Sequence, residues 1–176
     1  SRQYTIMLQK DGYRDWARTL SLEGGRIERL TYPLLVPKNL VTTDLQLYAS
    51  TPELVSQSPD LRWLLVQQPK QISTFDLFDL DSPSDTPTIL SIPVELLTDA
   101  AKSSTFSVVA WSDDNHHVLV KRLYDGKHEF LVLDTENMAK SVNLNTALGV
   151  SPSEVSFRDG KADQAYLFDS DGGVIR

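Results

Sequence analysis

Seven of the eight glycines in this chain directly follow an acidic residue or another glycine. Such Asp-Gly and Glu-Gly-Gly segments favour the positive φ angles of tight hairpin turns, which join antiparallel strands. The runs between them are rich in branched and aromatic residues, and several alternate apolar with polar, as in a sheet with one buried face. The pattern predicts an all-β, mainly antiparallel fold. The runs predicted as strands are 4–9, 26–32, 44–49, 62–68, 117–124 and 129–134.

Helical signals are few. Residues 93–104 begin with a proline and carry an early acid, which predicts about two helical turns. Residues 143–149 predict a single turn that ends at Gly149. Because neither segment alternates regularly with strands, a parallel βαβ fold is not expected.

Composition and charge narrow the classes of partner. A chain of 176 residues makes one ordinary domain or two small ones. Its net charge of −7 repels nucleic acid and anionic membranes, so neither is expected as a partner. It has no cysteine, and no run of 18 apolar residues that would span a membrane. The opening residues carry neither a Met nor a signal-peptide pattern, so we expect an excised fragment whose membrane contact, if any, is made by a segment outside it.

The chain also contains internal similarity. Residues 54–66 align without gaps on 108–120, and residues 74–81 align on 129–136, at offsets of 54 and 55. A third, poorer copy covers 155–173. Repeats of roughly 40–50 residues with about four strands each are typical of propeller blades.

The repeated unit resembles the S-P-D-G repeat of TolB-like and WD-type β-propellers. The resemblance covers about 54–176; one copy keeps "SPD", at 58–60, and none keeps the following glycine. A closed propeller needs about four to eight blades, whereas residues 40–176 supply about three at this repeat length. An open array exposes sheet edges, so we expect homo-oligomers or aggregation. A monodisperse monomer in light scattering would contradict this expectation.

Residues 4–37 are similar to the second half of a PEGA domain, a small β-sandwich found beside propellers in bacterial envelope proteins. The similarity includes Gly12, Tyr13 and the Gly24-Gly25 turn.

The two resemblances together imply a partial PEGA-like β segment at 1–39 and partial β-propeller blades at 40–176. By resemblance, the protein is a non-enzymatic binding scaffold on the extracytoplasmic face of a bacterial membrane or cell envelope, although a cytoplasmic location stays open. The implied partner is a protein or a cell-wall glycan, and no cofactor is predicted.

One stretch, 110–120, concentrates polar groups suited to metal binding or acid–base chemistry, including His116 and His117. Consecutive residues of an extended chain point to opposite faces, so the two histidines are expected to diverge. His128, across the 120–130 hairpin, is expected to approach one of them.

The repeat favours a turn in this stretch. Ser58 and Asp60 hold the places of Ser112 and Asp114 in a copy that has no histidine, and short polar side chains there cap a turn by bonding backbone N–H groups. The histidines are then the feature peculiar to one copy. The candidate binding residues are Asp60, Asp114, His116, His117 and Asp159.

Two acidic groups offer other chemistry. Asp169 and Asp171 resemble the start of a calcium loop and are the metal candidates, but the parallel with Asp125-Gly126 favours a hairpin turn. A series of aspartates offers paired carboxylates for an alternative function, a hydrolase or lyase acting on cell-wall glycan. A further alternative is an assembly module that pairs through exposed blade edges. The acidic series comprises Asp76, Asp79, Asp81 and Asp85.

Serines and tryptophans offer two further kinds of site. Ser58 and Ser112 lack a G-x-S-x-G elbow, which argues against a nucleophile. Tryptophans can offer a stacking surface to sugars or peptides, but in sheet proteins they more often fill the space between packed sheets. The three tryptophans are Trp16, Trp63 and Trp111.

Overall fold

In the residues that it describes, the computed structural model is all-β and mainly antiparallel, with almost no helix. The chain divides into two compact units, Ser1–Asp44 and Leu45–Arg176. The residues that the structure describes are 2–25, 27–30, 33–40, 42, 44–171 and 173–175.

The first unit is built on one hairpin. Strand β1 (Arg2–Leu8) pairs antiparallel with β2 (Trp16–Leu22). Val36, which follows β2 in the chain, contacts the loop that joins β1 to β2: its carbonyl accepts from the Arg14 amide at 2.7 Å. The strand predicted at 26–32 is wrong for its described part, 27–30, and residues 26, 31 and 32 lie outside the described residues. Ile27 is 91% exposed, so this branched side chain has no sheet face on which to be buried.

Within its described residues, the second unit contains three consecutive antiparallel sheets, in which every strand pairs with its neighbours along the chain. We call them the first, middle and third sheets. The first sheet contains β3 (Leu54–Gln57), β4 (Trp63–Gln67), β5 (Thr74–Asp79) and β6 (Thr88–Ser91). The middle sheet contains β7 (Ser104–Trp111), β8 (His117–Tyr124), β9 (Lys127–Asp134) and β10 (Val142–Asn143). The third contains β11 (Glu154–Arg158), β12 (Lys161–Phe168) and β13 (Val174–Ile175).

The middle sheet is buried on both faces. One face packs on the first sheet through Val118, Val120 and Leu131, and the opposite face packs on the third sheet through Leu119 and Phe130. The central strands β8 and β9 are therefore almost continuously buried. The expectation of one buried face per sheet is wrong here, because neighbouring sheets cover both sides.

The first strands of the three sheets lie next to one another. Strand β7 contacts both β3 and β11. The Trp111 indole on β7 donates to the Ser56 hydroxyl on β3 at 3.0 Å. The sheets are thus stacked face to face, with their first strands close together.

The segment predicted as a strand at 44–49 is not one in its described residues. The Tyr48 hydroxyl instead donates to the buried Asp76 carboxylate at 2.8 Å. Burial, together with this hydrogen bond, raises the pKa of Tyr48. Asp76 alternates with Phe75 and Leu77, which face the core, so the segment lies against the opposite face of the first sheet rather than extending it.

Of the two predicted helices, one is confirmed. Helix α1 (Leu144–Leu148) begins at Asn143, whose side chain accepts from the Thr146 amide, and ends at Gly149 with φ 65°. In 93–104 only a 3₁₀ turn forms, at Val94–Leu96, because Leu97 is then buried in the core and the chain extends into β7. No helix in the described part of the chain is long and apolar enough to span a membrane.

Candidate functional site

The turn between β7 and β8 is closed by Ser112 and Asp114. The Ser112 amide donates to the His117 carbonyl at 2.9 Å, and the Ser112 hydroxyl donates to the Asp114 carboxylate. The same carboxylate oxygen accepts from the amides of His116 at 2.8 Å and His117 at 3.1 Å. Asp114 therefore caps its own turn, as the sequence predicts.

The turn between β3 and β4 has the same hydrogen bonds. The Ser58 amide donates to the Trp63 carbonyl at 2.9 Å, and the Ser58 hydroxyl donates to Asp60 at 2.5 Å. Asp60 also accepts from the Arg62 amide at 3.1 Å. Ser58 and Ser112 are almost fully buried, with hydroxyls that donate to carboxylates. A serine nucleophile instead needs a base that takes its proton, so this geometry suits turns and not acyl transfer.

Hydrogen bonding keeps both capping carboxylates ionised. Burial alone would raise the pKa of Asp114, but the bonds from the Ser112 hydroxyl, two backbone amides and the His117 ring together hold this pKa well below its usual range. The bond from Ser58 likewise lowers the pKa of Asp60. A general acid must carry a proton at the working pH, so neither group suits that role near neutrality.

The corresponding turns of the three sheets abut one another. The Asp60 amide donates to the Asn115 side chain at 3.1 Å, and the Asp113 amide donates to the Gly160 carbonyl at 2.8 Å. Asp159 and Gly160 form the two-residue turn of the third sheet, with φ angles of 49° and 69°. The turns therefore form one continuous surface.

A groove opens on this surface between the middle and third sheets. Its volume is about 640 Å³, within the range of small-ligand sites. Three of the five predicted binding residues line it: Asp114, His117 and Asp159. Asp60 and His116 do not. The remaining lining residues are Asp113, Val132, Lys140, Val142, Leu144, Gly160, Lys161, Ala162 and Asp163.

A bulge shapes one wall of the groove. Phe157 pairs with Ala165 and Arg158 pairs with Lys161, so residues 162–164 have no partner in the register of β11. Bulges re-aim side chains and are over-represented beside functional sites. Here the bulge contributes Ala162 and Asp163 to the groove.

The two adjacent histidines diverge, as predicted. His117 lies between two carboxylates, with Nδ1 2.8 Å from Asp114 and Nε2 3.8 Å from Asp134. His116 points elsewhere, with Nδ1 3.4 Å from Glu136 and its ring 6.4 Å from that of Trp63. The groups around His117 face opposite ring nitrogens, whereas a metal needs ligands that converge on one point. No group of three potential ligands is placed to hold a metal ion among the described residues.

His128 does not approach this pair, and that expectation is wrong. It pairs across the hairpin with Leu123, whereas His117 pairs with Asp134. Six residues of extended strand separate the two positions, a distance of about 20 Å. The His128 ring instead lies 2.8 Å from the Pro152 carbonyl.

The other acidic candidates serve local structure. Asp169 accepts from the amides of Asp171 at 3.0 Å and Gly173 at 2.6 Å, which closes the turn between β12 and β13 as in a hairpin. Asp79 binds the Arg62 guanidinium at 2.7 Å, and this hydrogen bond lowers the pKa of Asp79.

Asp81 shares Arg62 with Asp79, at 3.5 Å from its Nε. Asp76 is buried beneath Tyr48, and Asp85 is exposed. Trp63 and Trp111 are partly buried against the core between the first and middle sheets, as the packing interpretation predicts. No Trp, Tyr or Phe side chain lines the groove among the described residues.

Gly160 offers a direct test of the groove's geometry. A Cβ built on it would lie 2.2 Å from Asp113 Oδ1, whereas one built on Gly126 meets nothing within 4 Å. Both residues have similar φ angles, 69° and 72°. We expect both alanine variants to lose about 1 kcal/mol or more from backbone strain. Gly160→Ala should also displace the Asp113 side chain, so it should lose more in urea unfolding. Equal losses would contradict the close approach.

The low pKa of Asp114 predicts a pH-dependent stability. Its carboxylate stabilises the fold above the unfolded-state pKa of about 3.9, and this contribution is lost as pH falls through the lower folded value. The side chain is 45% exposed, so solvent screening limits the loss in Asp114→Asn to about 1–2 kcal/mol near neutral pH.

Unfolding by urea across pH measures this effect. The difference from wild type should shrink below about pH 4. Asp85→Asn, in an exposed loop, serves as the control, and a constant difference for Asp114→Asn would contradict the capping role.

Sequence reasoning missed the apolar part of the groove. Val132, Val142, Leu144 and Ala162 come from three strands and a helix, and nothing local marks them as a site. It also missed the buried pair of Arg122 and Glu129, which lie opposite each other on β8 and β9. The one sequence signal for this pair was that two charged residues, Arg122 and Glu129, stand inside or at the start of apolar runs predicted as strands.

No protein-family model, curated protein or solved structure matches this chain.

Proposed function

We propose that the chain is a non-enzymatic binding or scaffolding module, which holds a protein or a glycan in the groove between the middle and third sheets. The observation that carries the proposal is the groove of about 640 Å³, lined by Asp114, His117 and Asp159. The sequence predicts all three as binding residues. They come from two different sheets and meet at one opening.

Part of a β-propeller is the architecture that we propose for residues 40–176. Three features support it: consecutive antiparallel sheets of four, four and three strands, adjacent first strands, and the same capping bonds in the first two turns. Propellers present turn loops of neighbouring blades on one face, where ligands bind. The PEGA-like character of 1–39 and an extracytoplasmic location in a bacterial envelope complete the proposal; these rest on the resemblance.

Binding is favoured over glycan cleavage by how the carboxylates are used. Glycoside hydrolysis needs two carboxylates that face the substrate across an open groove. Asp114 instead turns back to accept amides of its own turn, and Asp60, Asp79 and Asp169 do the same. This geometry supports a binding role for these aspartates, because each turn holds its carboxylate in a fixed position.

The two histidines provide a matched test. His117 lines the groove and His116 does not, although they are neighbours in the chain. We expect His117→Ala to weaken binding of a cell-wall glycan digest or of a peptide mixture, followed by amide shifts in the NMR spectrum of the labelled protein. His116→Ala should bind as the wild type does. Equal effects of the two variants, or shifts confined to another surface, would overturn the proposal.

A specific observation also favours the assembly alternative. Val55 on β3 and Ile89 on β6, the two outer strands of the first sheet, are 59% and 60% exposed. Exposed apolar residues on edge strands favour pairing with another chain. We expect self-association in light scattering that is reduced in the double variant Val55→Thr, Ile89→Thr. A wild-type protein that is monomeric at all accessible concentrations would exclude this alternative.

A further inference from the structure

The groove between the middle and third sheets has an apolar floor. Val132 on β9 and Val142 on β10 contribute from the middle sheet, Leu144 from helix α1, and Ala162 from the bulge of β12. Val142 is 40% exposed, so the floor is accessible to a ligand. Apolar floors of this kind take aliphatic side chains by removing surface from water.

The rim of the groove is acidic. Four aspartates and two lysines line it, for a formal charge of −2 when His117 is neutral. Asp113, Asp159 and Asp163 are exposed. The four aspartates are Asp113, Asp114, Asp159 and Asp163, and the two lysines are Lys140 and Lys161.

The rim charges come from both sheets, and the Asp159 carboxylate lies 3.6 Å from Arg158. Asp114 is fixed by its turn, and the Asp113 carboxylate lies against Gly160 of the neighbouring sheet. Asp159 occupies the turn beside it, and Asp163 lies in the bulge. A cation placed over the apolar floor therefore meets carboxylates from both walls, which favours positively charged partners and speeds their encounter.

We propose that this groove binds an extended peptide segment of a partner protein in which aliphatic residues alternate with lysine or arginine. Alternation suits the site because successive side chains of an extended peptide point to opposite sides. One set fills the apolar floor while the other reaches the aspartates of the rim. The inference rests on the proposed binding function and deepens it by naming a cationic peptide as the partner.

The test uses the labelled full chain and three probes. The first is a capped hexapeptide that alternates lysine with valine, the second replaces its lysines with glutamate, and the third is an uncharged N-acetylglucosamine tetramer. NMR amide shifts locate binding, and titration gives the Kd. We expect the lysine peptide to shift Val142 and Ala162 and to bind more weakly as salt is raised, because exposed charges are screened.

Matched variants separate the groove from the overall negative charge. Asp159→Asn with Asp163→Asn removes two charges from the rim, and Glu53→Gln with Asp85→Asn removes two exposed charges elsewhere. We expect the rim variant to weaken binding of the lysine peptide by about fivefold or more, and the control by less than about twofold. Equal losses in the two variants, or equal binding of the glutamate peptide, would overturn the inference.

The third probe distinguishes this inference from the function on which it rests. If the N-acetylglucosamine tetramer shifts the groove amides and the lysine peptide does not, the peptide inference fails and the binding function stands. If no probe shifts the groove amides, both fail.

Discussion

Replacing Glu129 by Gln is expected to lower the free energy of unfolding by about 3–5 kcal/mol. Glu129 Oε1 lies 2.6 Å from Arg122 Nη1, and the two side chains are 1% and 0% exposed. Removal of one charge from a buried pair leaves the other without compensation in a medium that solvates it poorly. Equilibrium unfolding in urea measures the loss.

The pair also organises the segment before β7. Glu129 accepts from the Thr98 amide at 3.3 Å and from the Asn143 side chain at 2.8 Å. Arg122 donates to the Thr98 carbonyl at 2.6 Å. The segment is thus bound to the β8–β9 hairpin through one polar network, and we expect its amides to lose protection from hydrogen exchange in Glu129→Gln.

Two further variants make this prediction specific. Lys102→Gln removes an exposed ion pair, in which Lys102 lies 3.3 Å from Asp125, and should cost less than about 1 kcal/mol. Arg122→Met combined with Glu129→Leu removes both charges and should recover part of the stability lost in Glu129→Gln, because the bonds to Thr98 and Asn143 are lost as well. If Glu129→Gln loses no more than Lys102→Gln, the network has no such role.

Phe75→Ala is the second change with a large expected effect, a loss of about 3–5 kcal/mol. The Phe75 side chain is fully buried between the first and middle sheets, and its ring meets that of Phe106 edge to face at 5.4 Å. Truncation removes the buried ring and leaves a cavity that the two packed sheets cannot readily close.

A double-mutant cycle identifies the contribution of the ring contact. Phe75→Ala and Phe106→Ala should couple by about 0.5–1.5 kcal/mol, as expected for an aromatic pair beyond its buried area. Leu123→Ala, at a position 48% exposed on β8, should cost less than about 1 kcal/mol. Additive losses in the cycle would show that the two rings do not interact.

Local sequence was sufficient to predict three of the interior strands of the sheets, although the interior strands β5 and β12 were not among the predicted runs. The runs at 62–68, 117–124 and 129–134 become β4, β8 and β9, since their apolar residues have neighbouring sheets on which to be buried. The runs at 26–32 and 44–49 carry similar residues and do not form strands where described. Strand propensity measures fit to a half-buried surface, so it fails where no pairing partner is present.

The candidate site likewise has a part that local sequence predicts and a part that it does not. The cap formed by Ser112 and Asp114 could be predicted from sequence, because a serine and an aspartate two residues apart bond within one turn, and the copy at Ser58 and Asp60 repeats that spacing. The apolar floor of the groove could not be predicted, since Val142 and Ala162 are brought together only by the packing of two sheets. The separate roles of the neighbouring His116 and His117 likewise depend on which carboxylates the fold places beside each ring.

The amino-acid sequence by itself determined the all-β class, the positions of most turns and the capping of two of them, because these depend on contacts within a few residues. Only the tertiary structure decided which faces are buried, which histidine lines the groove and that the Arg122–Glu129 pair of the β8–β9 hairpin is buried. Those features arise when consecutive sheets stack on one another, and their energies come from burial and charge pairing that no local pattern specifies.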